Sequence, residues 1–171
     1  MGKTSLTFRY INNHCPKNHD PTVEDSYTVQ IELPSGGSKE FSILDTAGEE
    51  DYQNMLDQWI KVAKGFILVF AIDDQESFEA IKTKIKRIEK HEKMNLPIIL
   101  VGNKCDLENK RKISQQQGED LAKSFKGKYY ETSALTDENR NVKTVFVECA
   151  KMILNSNGEV EDDRPKCCIV F

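Results

Sequence analysis

The sequence has little of what marks membrane-spanning, secreted or nucleic-acid-binding proteins. Its longest uninterrupted apolar run, Phe66 to Ile72, has seven residues, whereas a membrane-spanning helix needs about 18 or more. A net charge of −4 argues against a broad nucleic-acid-binding face, so we expect no nucleic-acid partner. The five cysteines form no disulfide pattern and no secretory apolar region precedes them. We therefore expect a reducing, cytosolic setting.

The 171 residues, 38% of them hydrophobic, suit one compact domain in which strands alternate with helices. The runs Phe66–Ile72 and Pro97–Val101 have the length and composition of strands that are buried on both faces. Amphipathic helical patterns lie between and after them, and the clearest covers 142–154. This alternation predicts a doubly wound α/β domain.

A β-hairpin is predicted near the start, because Tyr27–Leu33 and Glu40–Asp45 flank a stretch rich in proline, glycine and serine. It supplies one antiparallel edge to an otherwise parallel sheet. We place the domain at 1–154 and predict that 155–171 forms a flexible C-terminal tail, since its first part is polar and acidic.

Two short motifs indicate phosphate and metal binding. Gly2-Lys3-Thr4 is the second half of a phosphate-binding loop, in which amides at a helix start and the lysine hold phosphates and the hydroxyl binds Mg²⁺. Asp45 follows a predicted strand, where it is placed to hold Mg²⁺ through water. The nearby Gly48 lets a backbone amide approach a γ-phosphate.

Two further motifs at strand ends indicate a guanine site. In Asn103-Lys104-Cys105-Asp106, the Asp106 carboxylate can accept both the ring N–H and the amine of guanine, a pair that adenine does not offer. The Ala134 amide can meet the guanine O6 atom. The Asn103-Lys104-Cys105-Asp106 motif therefore disfavours an ATPase.

With these motifs in this order, the sequence resembles the Ras branch of the small GTPases over essentially its whole length. The resemblance is strongest in the segment similar to the effector loop of Ras and Rap proteins, Asp20-Pro21-Thr22-Val23-Glu24-Asp25-Ser26-Tyr27. Glu50-Asp51-Tyr52 is also similar to the Rho branch, but the short Leu107–Ile113 connection leaves no room for the extra helix of Rho proteins.

The resemblance implies a P-loop NTPase fold with a mostly parallel six-stranded sheet and helices on both faces. It implies nucleotide contacts by Gly2, Lys3, Thr4, Ser5, Asp45, Asn103, Lys104, Asp106, Ser133, Ala134 and Leu135. It also implies catalytic roles for Lys3, Thr22, Gly48 and Glu49, and a Mg²⁺ ion held by Thr4, Thr22 and, through water, Asp45.

The same resemblance implies a monomeric switch that hydrolyses GTP to GDP and phosphate. Its partners would be an exchange factor, a GTPase-activating protein (GAP) and effector proteins with basic Ras-binding-type domains. An acidic effector surface formed by Asp20, Glu24 and Asp25 would match such basic domains.

The start of the chain departs from the family pattern, because no residues before Met1 supply the first central strand and the first phosphate-loop glycine. That strand lies between the Glu40–Asp45 and Phe66–Ile72 strands, and its burial is worth roughly 6–15 kcal/mol. We therefore expect this chain to fold poorly, and the natural chain to be longer by about a dozen residues.

Two substitutions affect the site itself. Glu49 stands where most Ras proteins have the glutamine that orients the attacking water. A carboxylate can hold that water or act as a base, but it also repels the γ-phosphate. The sequence therefore does not decide whether Glu49 raises or lowers the rate of intrinsic hydrolysis. Cys15 replaces a phenylalanine that stacks on guanine, so we expect faster nucleotide exchange. The alternative to a switch that hydrolyses GTP is a pseudo-GTPase, which keeps the effector surface but has little or no nucleotide turnover.

The C-terminus, Cys168-Ile169-Val170-Phe171, is a C-a-a-X prenylation sequence whose final phenylalanine favours a geranylgeranyl group. One lipid gives only marginal anchoring, so we expect a second signal, palmitoylation of Cys167. From these expected lipid attachments we predict that the protein lies on the cytoplasmic face of a membrane, in particular the plasma membrane.

Overall fold

The structure is a computed structural model that describes residues 2–14, 24–32, 36–46, 53–93, 95–135, 141–156 and 166–171. The α-helices within these residues are α1 (Lys3–Asn12), α2 (Gln53–Val62), α3 (Gln75–Lys90), α4 (Gln115–Ser124) and α5 (Val142–Ser156). The strands are β1 (Glu24–Glu32), β2 (Ser38–Thr46), β3 (Gly65–Ala71), β4 (Ile98–Asn103), β5 (Lys128–Glu131) and β6 (Lys166–Val170).

The strands form one six-stranded sheet in the order β1-β2-β6-β3-β4-β5. The β1–β2 pair is antiparallel, with Glu24 opposite Thr46 and Glu32 opposite Ser38, and the other neighbouring pairs are parallel. This confirms the predicted α/β sheet with one antiparallel edge. Parallel strands end at one edge of the sheet, and the residues that follow them are the candidates for a site.

Strands β3 and β4 are buried along their whole length, as their continuous apolar runs predict. Alternate side chains of β3 enter two different cores. Phe66 and Leu68 pack with residues of α2, α3 and α4. Ile67 and Val69 pack with residues of α1 and α5 on the opposite face. The sheet therefore has helices on both faces, and no helix of the described residues is long and apolar enough to span a bilayer.

Helices α3 and α4 begin at side-chain caps, and at the start of α3 the Asp74 carboxylate accepts from the Glu76 and Ser77 amides. Helix α4 begins with the predicted capping box, in which the Ser114 hydroxyl accepts from the Gln117 amide and the Gln117 side chain accepts from the Ser114 amide. Between β4 and α4 lies a single 3₁₀ turn, Glu108–Lys110. This confirms that the connection holds no extra helix of the Rho type.

The C-terminal segment differs from the flexible tail predicted for 155–171. Residues 166–170 form β6, which runs parallel to both β2 and β3 and lies between them. Ile169 is in register with Leu44 on one side and Phe66 on the other. This is the central position at which the family's first strand is expected, and here the chain's own C-terminal residues occupy it. The prediction of a flexible tail is therefore wrong for 166–171.

Strand β6 is inserted because its side chains suit both cores. Ile169 and Phe171 enter the core beneath α2 and α3, whereas Cys168 and Val170 enter the core beneath α1 and α5. The exposed fraction of these four residues is between 0% and 4%. The Lys84 ammonium lies 5.6 Å from the centroid of the Phe171 ring, and burial lowers the pKa of Lys84 to about 7. A flexible tail would leave these apolar groups in water.

Substitution of Ile169 by alanine tests whether β6 belongs to the folded core. We expect Ile169→Ala to lower the free energy of unfolding by about 2–5 kcal/mol, because it leaves a cavity in a fully buried site. The control Val62→Ala removes a similar aliphatic group at a site that is 58% exposed, and should change stability by no more than about 0.5 kcal/mol. Urea denaturation of the unmodified chain measures both, and equal stability of Ile169→Ala and the parent chain would contradict the insertion.

Candidate functional site

The start of α1 has the backbone geometry of an anion-binding site. Gly2 precedes the helix with a φ of 82°, in the left-handed region, and no side chain caps the helix there. A Cβ atom at Gly2 would lie 2.7 Å from the Asn103 side-chain nitrogen, so only glycine fits. The first intrahelical bond runs from the Leu6 amide to the Gly2 carbonyl at 3.0 Å. The amides that precede Leu6 in the first turn have no carbonyl acceptor within the helix. Amides of this kind bind phosphate at the starts of other helices.

The structure holds α1 in place through its apolar face. Leu6 is fully buried, and Tyr10 stacks on Phe146 of α5 with ring centroids 4.2 Å apart. Burial raises the pKa of the Tyr10 hydroxyl to about 12, so this residue is a packing group at neutral pH. The position of the helix start is therefore set by packing against α5.

Lys3 and Thr4 follow Gly2 and are buried, with exposed fractions of 6% and 7%. Burial lowers the pKa of Lys3, and the negative charge of Asp45 partly restores it. Asp45 lies at the end of β2 and is fully buried. A buried ammonium near a buried carboxylate, with a hydroxyl beside them on α1, is suited to a ligand that carries both phosphate and a bound cation.

The donor set at this place fits Mg²⁺. The Asp45 carboxylate and the Thr4 hydroxyl offer hard oxygen ligands, and Mg²⁺ is usually held by one or two such protein groups together with substrate phosphates. Among the described residues no group of three or more His, Cys, Asp and Glu side chains is gathered that would hold a metal by itself. Thr22, the third predicted ligand, lies outside the described residues.

The predicted guanine-reading residues are brought together at the ends of β4 and β5. The Ser133 hydroxyl donates to an Asp106 carboxylate oxygen at 2.5 Å, and the Leu135 amide donates to the Ser133 hydroxyl at 3.3 Å. Ala134 between them is buried, and Leu135 is 67% exposed. Ser133 thereby orients the Asp106 carboxylate, whose remaining acceptor positions can face a purine edge.

Asn103 joins the phosphate-binding and base-reading parts of the site. Its side-chain nitrogen donates to the Gly2 carbonyl at 3.5 Å, and its side-chain oxygen accepts from the Thr132 hydroxyl at 3.1 Å. The Cys105 amide also donates to the Thr132 carbonyl, at 3.0 Å. One buried side chain therefore spans α1, β4 and the segment after β5, and it fixes the distance between their ligand-binding groups.

Several contacts of this edge were not predicted from the sequence. Lys104 has a φ of 64°, and its ammonium pairs with Asp73 at 3.2 Å. Farther along, Arg111 donates to both Glu131 oxygens at 2.8 and 2.9 Å, and the Tyr129 hydroxyl donates to Glu131 at 2.9 Å. The Lys104–Asp73 and Arg111–Glu131 pairs join residues that are 31 and 20 positions apart, so no spacing in the sequence indicates them.

The described part of the predicted effector segment, 24–27, forms the start of β1. Asp25 is opposite Asp45 in the β1–β2 register, so the strand begins beside the candidate metal site. Asp25 and Ser26 are exposed, and Tyr27 is half-buried with its ring 6.0 Å from that of Phe8. Among the described strands β1 pairs with β2 alone.

Several predicted residues lie outside the part of the chain that the structure describes. They are Cys15, Asp20, Pro21, Thr22, Val23, Gly48 and Glu49. Of the predicted lipid sites, Cys167 is half-buried and Cys168 is buried, within β6.

The fold and these contacts define a class: an α/β protein in which a helix start, a strand-end carboxylate and two base-reading turns share one sheet edge, as in small GTPases of the P-loop type. The Ras family model matches residues 1–155. The chain belongs to the Ras family, and this membership supports guanine nucleotide binding and a small GTPase signalling switch.

Individual relatives agree with this family. The chain is 41% identical over 162 residues to the Ras-like protein rasB of Dictyostelium discoideum, covering 93% of this chain and 80% of that protein. It is 41% identical over 192 residues to the protein ras-1 of Neurospora crassa, covering 98% and 89%. It is 39% identical over 164 residues to a Ras-like protein of Laccaria bicolor, covering 94% and 76%.

Replacement of Asp106 by asparagine tests the base-reading corner. One carboxylate oxygen becomes an N–H donor, so the guanine amine loses its acceptor, whereas xanthine carries a carbonyl at that position and gains a donor. We expect Asp106→Asn to weaken GDP binding by about 100-fold or more and to favour xanthosine diphosphate. Titration calorimetry measures both, and Asp120→Asn, which removes an exposed carboxylate of α4, is the matched control. Unchanged GDP affinity would exclude Asp106 from the base site.

Proposed function

We propose that this chain is a Mg²⁺-dependent molecular switch that binds GTP and GDP, hydrolyses GTP to GDP and phosphate, and signals to effector proteins at a membrane. The observation that carries the proposal is the Asn103 bridge. It joins Gly2, at the start of the phosphate-binding helix, to Thr132, next to the Ser133–Asp106 pair. A ligand that spans this edge has a polyphosphate at one end and guanine at the other.

Each end of the nucleotide has its own holding groups. The amides of the first turn of α1 and the Lys3 ammonium would bind the β- and γ-phosphates, and phosphate charge would raise the lowered pKa of Lys3. Thr4 and Asp45 would hold Mg²⁺, which supplies positive charge to the phosphate oxygens when bound. Asp106, held by Ser133, would accept from guanine, and the Ala134 amide would donate to its O6 atom.

Catalysis would depend on residues that follow β2 and precede β1. We assign the alignment of the attacking water to Glu49 and the γ-phosphate contacts to Thr22 and Gly48. When the γ-phosphate leaves, those contacts are lost, and both segments are released. The strand β1 would carry the change to a partner, because it is an edge strand with Asp25 exposed at its start.

The proposed partners follow from this surface and from the C-terminus. An acidic strand edge suits a basic effector domain, which can pair with it by strand addition. An exchange factor and a GAP would set the proportion of the two nucleotide states. Geranylgeranylation of Cys168 and palmitoylation of Cys167 would bring the chain to the cytoplasmic face of the plasma membrane.

Chromatography of the nucleotide released from the purified full chain, followed by calorimetry with GTP and ATP, tests the proposal. We expect bound GDP and a preference for GTP over ATP of about 100-fold or more, because adenine does not offer the two donors that Asp106 accepts. Equal affinity for GTP and ATP would contradict the switch. Specific binding of GTP without hydrolysis would instead favour the pseudo-GTPase.

The exchange of Glu49 for glutamine tests the assigned catalytic residue. A GAP supplies positive charge to the γ-phosphate and depends on a side chain that orients water without adding negative charge. We expect Glu49→Gln to raise GAP-stimulated single-turnover hydrolysis by at least about tenfold. Glu79→Gln, which removes a carboxylate of α3, serves as the control. Equal stimulated rates for Glu49→Gln and the parent chain would remove Glu49 from this role.

A further inference from the structure

Two segments carry the candidate base-reading groups, and they are joined at two points. The first point is the hydrogen bond from the Ser133 hydroxyl to the Asp106 carboxylate at 2.5 Å. The second is the ion pair of Arg111, five residues after Asp106, with Glu131, two residues before Ser133. Two segments can pivot about a single hydrogen bond, whereas a second contact fixes their relative orientation. The ion pair is therefore placed to orient the base-reading groups, although neither of its members is a predicted nucleotide contact.

The Arg111 guanidinium forms a fork on each of two carboxylates. It donates to both oxygens of Glu131, at 2.8 and 2.9 Å, and to both oxygens of Glu108 on its other side. The exposed fractions of the Arg111 and Glu131 side chains are 17% and 20%, whereas that of Glu108 is 68%. A two-pronged pair that is shielded from water is stronger and more directional than an exposed pair. Glu131 is therefore the partner that can transmit orientation.

Tyr129 holds the same carboxylate from the sheet side. Its hydroxyl donates to a Glu131 oxygen at 2.9 Å. Burial and this hydrogen bond raise the pKa of the Tyr129 hydroxyl, so it stays a donor at neutral pH. A Cβ atom at Gly118 of α4 would lie 2.4 Å from the Tyr129 ring, and one at Gly102 of β4 would lie 2.5 Å from its hydroxyl. Because two glycines make room for the ring, the direction of its hydroxyl is fixed.

These side-chain contacts matter because the backbone at this place has few bonds of its own. Strand β5 has four residues and, among the described strands, pairs with β4 alone. Beyond the strand, the Thr132 amide donates to the Gly102 carbonyl at 3.0 Å, and the Asn141 side chain donates to the Glu131 carbonyl at 3.0 Å. The ends of short edge strands open readily unless side chains hold them. A shift of Glu131 would be passed on to Ser133, two residues farther along.

We propose that Arg111 and Glu131 are positioning residues of the guanine site, whose ion pair holds Asp106 and the Ser133–Ala134 turn in the orientation that selects guanine and slows nucleotide release. This inference rests on the proposed guanine-nucleotide function and extends it to two residues outside the predicted contacts. Loss of the pair would loosen the guanine end of the site. The phosphate-binding end, at the start of α1, would keep its geometry.

The two carboxylates on one guanidinium supply matched variants. Glu131→Gln and Glu108→Gln both keep the shape of the side chain and replace one oxygen by an N–H donor that faces Arg111. The full chain is loaded with a fluorescent GDP analogue, and its dissociation is followed after addition of excess GDP. We expect Glu131→Gln to raise the dissociation rate at least about tenfold and Glu108→Gln to change it less than about twofold. Equal rates for Glu131→Gln and the parent chain would overturn the proposal.

The preference for guanine distinguishes positioning from a structural role. Competition of GDP and of ADP against the fluorescent analogue gives the ratio of the two affinities. We expect Glu131→Gln to lower the preference for GDP over ADP at least about fivefold, because only the guanine contacts are loosened. A chain that is destabilised as a whole would lose affinity for both nucleotides in proportion. Faster dissociation of Glu131→Gln with an unchanged ratio would therefore overturn the positioning role.

Two milder variants decide the matter if Glu131→Gln does not fold. Arg111→Lys keeps the charge but loses the fork, and Tyr129→Phe keeps the ring and loses only the hydroxyl. We expect each to raise the dissociation rate at least about threefold and to lower the GDP preference. If the parent chain has no preference for GDP over ADP, the proposed function fails and the positioning role fails with it. If the parent chain has that preference and the folded variants retain it in full, the positioning role alone fails.

Discussion

The hydrogen bonds and side chains of β6 join the two parts of the sheet. On one side lies the β1–β2 hairpin, and on the other lie β3, β4 and β5. Among the strands that the structure describes, neither part makes a ladder to the other except through Lys166–Val170. Because strands β2 and β3 both present buried edges, the free energy gained by filling the space between them includes their backbone groups as well as the apolar side chains of β6.

The geometry of the candidate site also depends on β6. Asp45 lies on the hairpin side, whereas Asn103 and Asp106 lie on the other, so the proposed nucleotide site spans both parts of the sheet. Val170 is the register partner of Asp45, and its carbonyl accepts from the hydroxyl of Thr46. The C-terminal strand therefore sets the distance between the candidate metal-binding group and the candidate base-reading groups.

Much of this arrangement could be predicted from the sequence, because the signals are local. The apolar runs of β3 and β4, the capping box of α4 and the β1–β2 hairpin depend on neighbouring residues. The predicted base-reading residues lie close together, since each lies at or within three residues of the end of a strand. The ion pairs Lys104–Asp73 and Arg111–Glu131 could not be found, because they join residues that are distant in the sequence and neither pair has a fixed spacing.

The C-terminal strand was missed for a different reason. Residues 167–171 are an uninterrupted apolar run of strand length, the same signal that identified β3 and β4. A C-a-a-X sequence consists of a cysteine followed by aliphatic residues, so the composition of a lipid-acceptor motif is also the composition of a buried parallel strand. The pairing of this segment with both β2 and β3 distinguishes the two interpretations. The burial of Cys168 thus follows from the pairing of β6 with β2 and β3 and cannot be predicted from its four-residue motif.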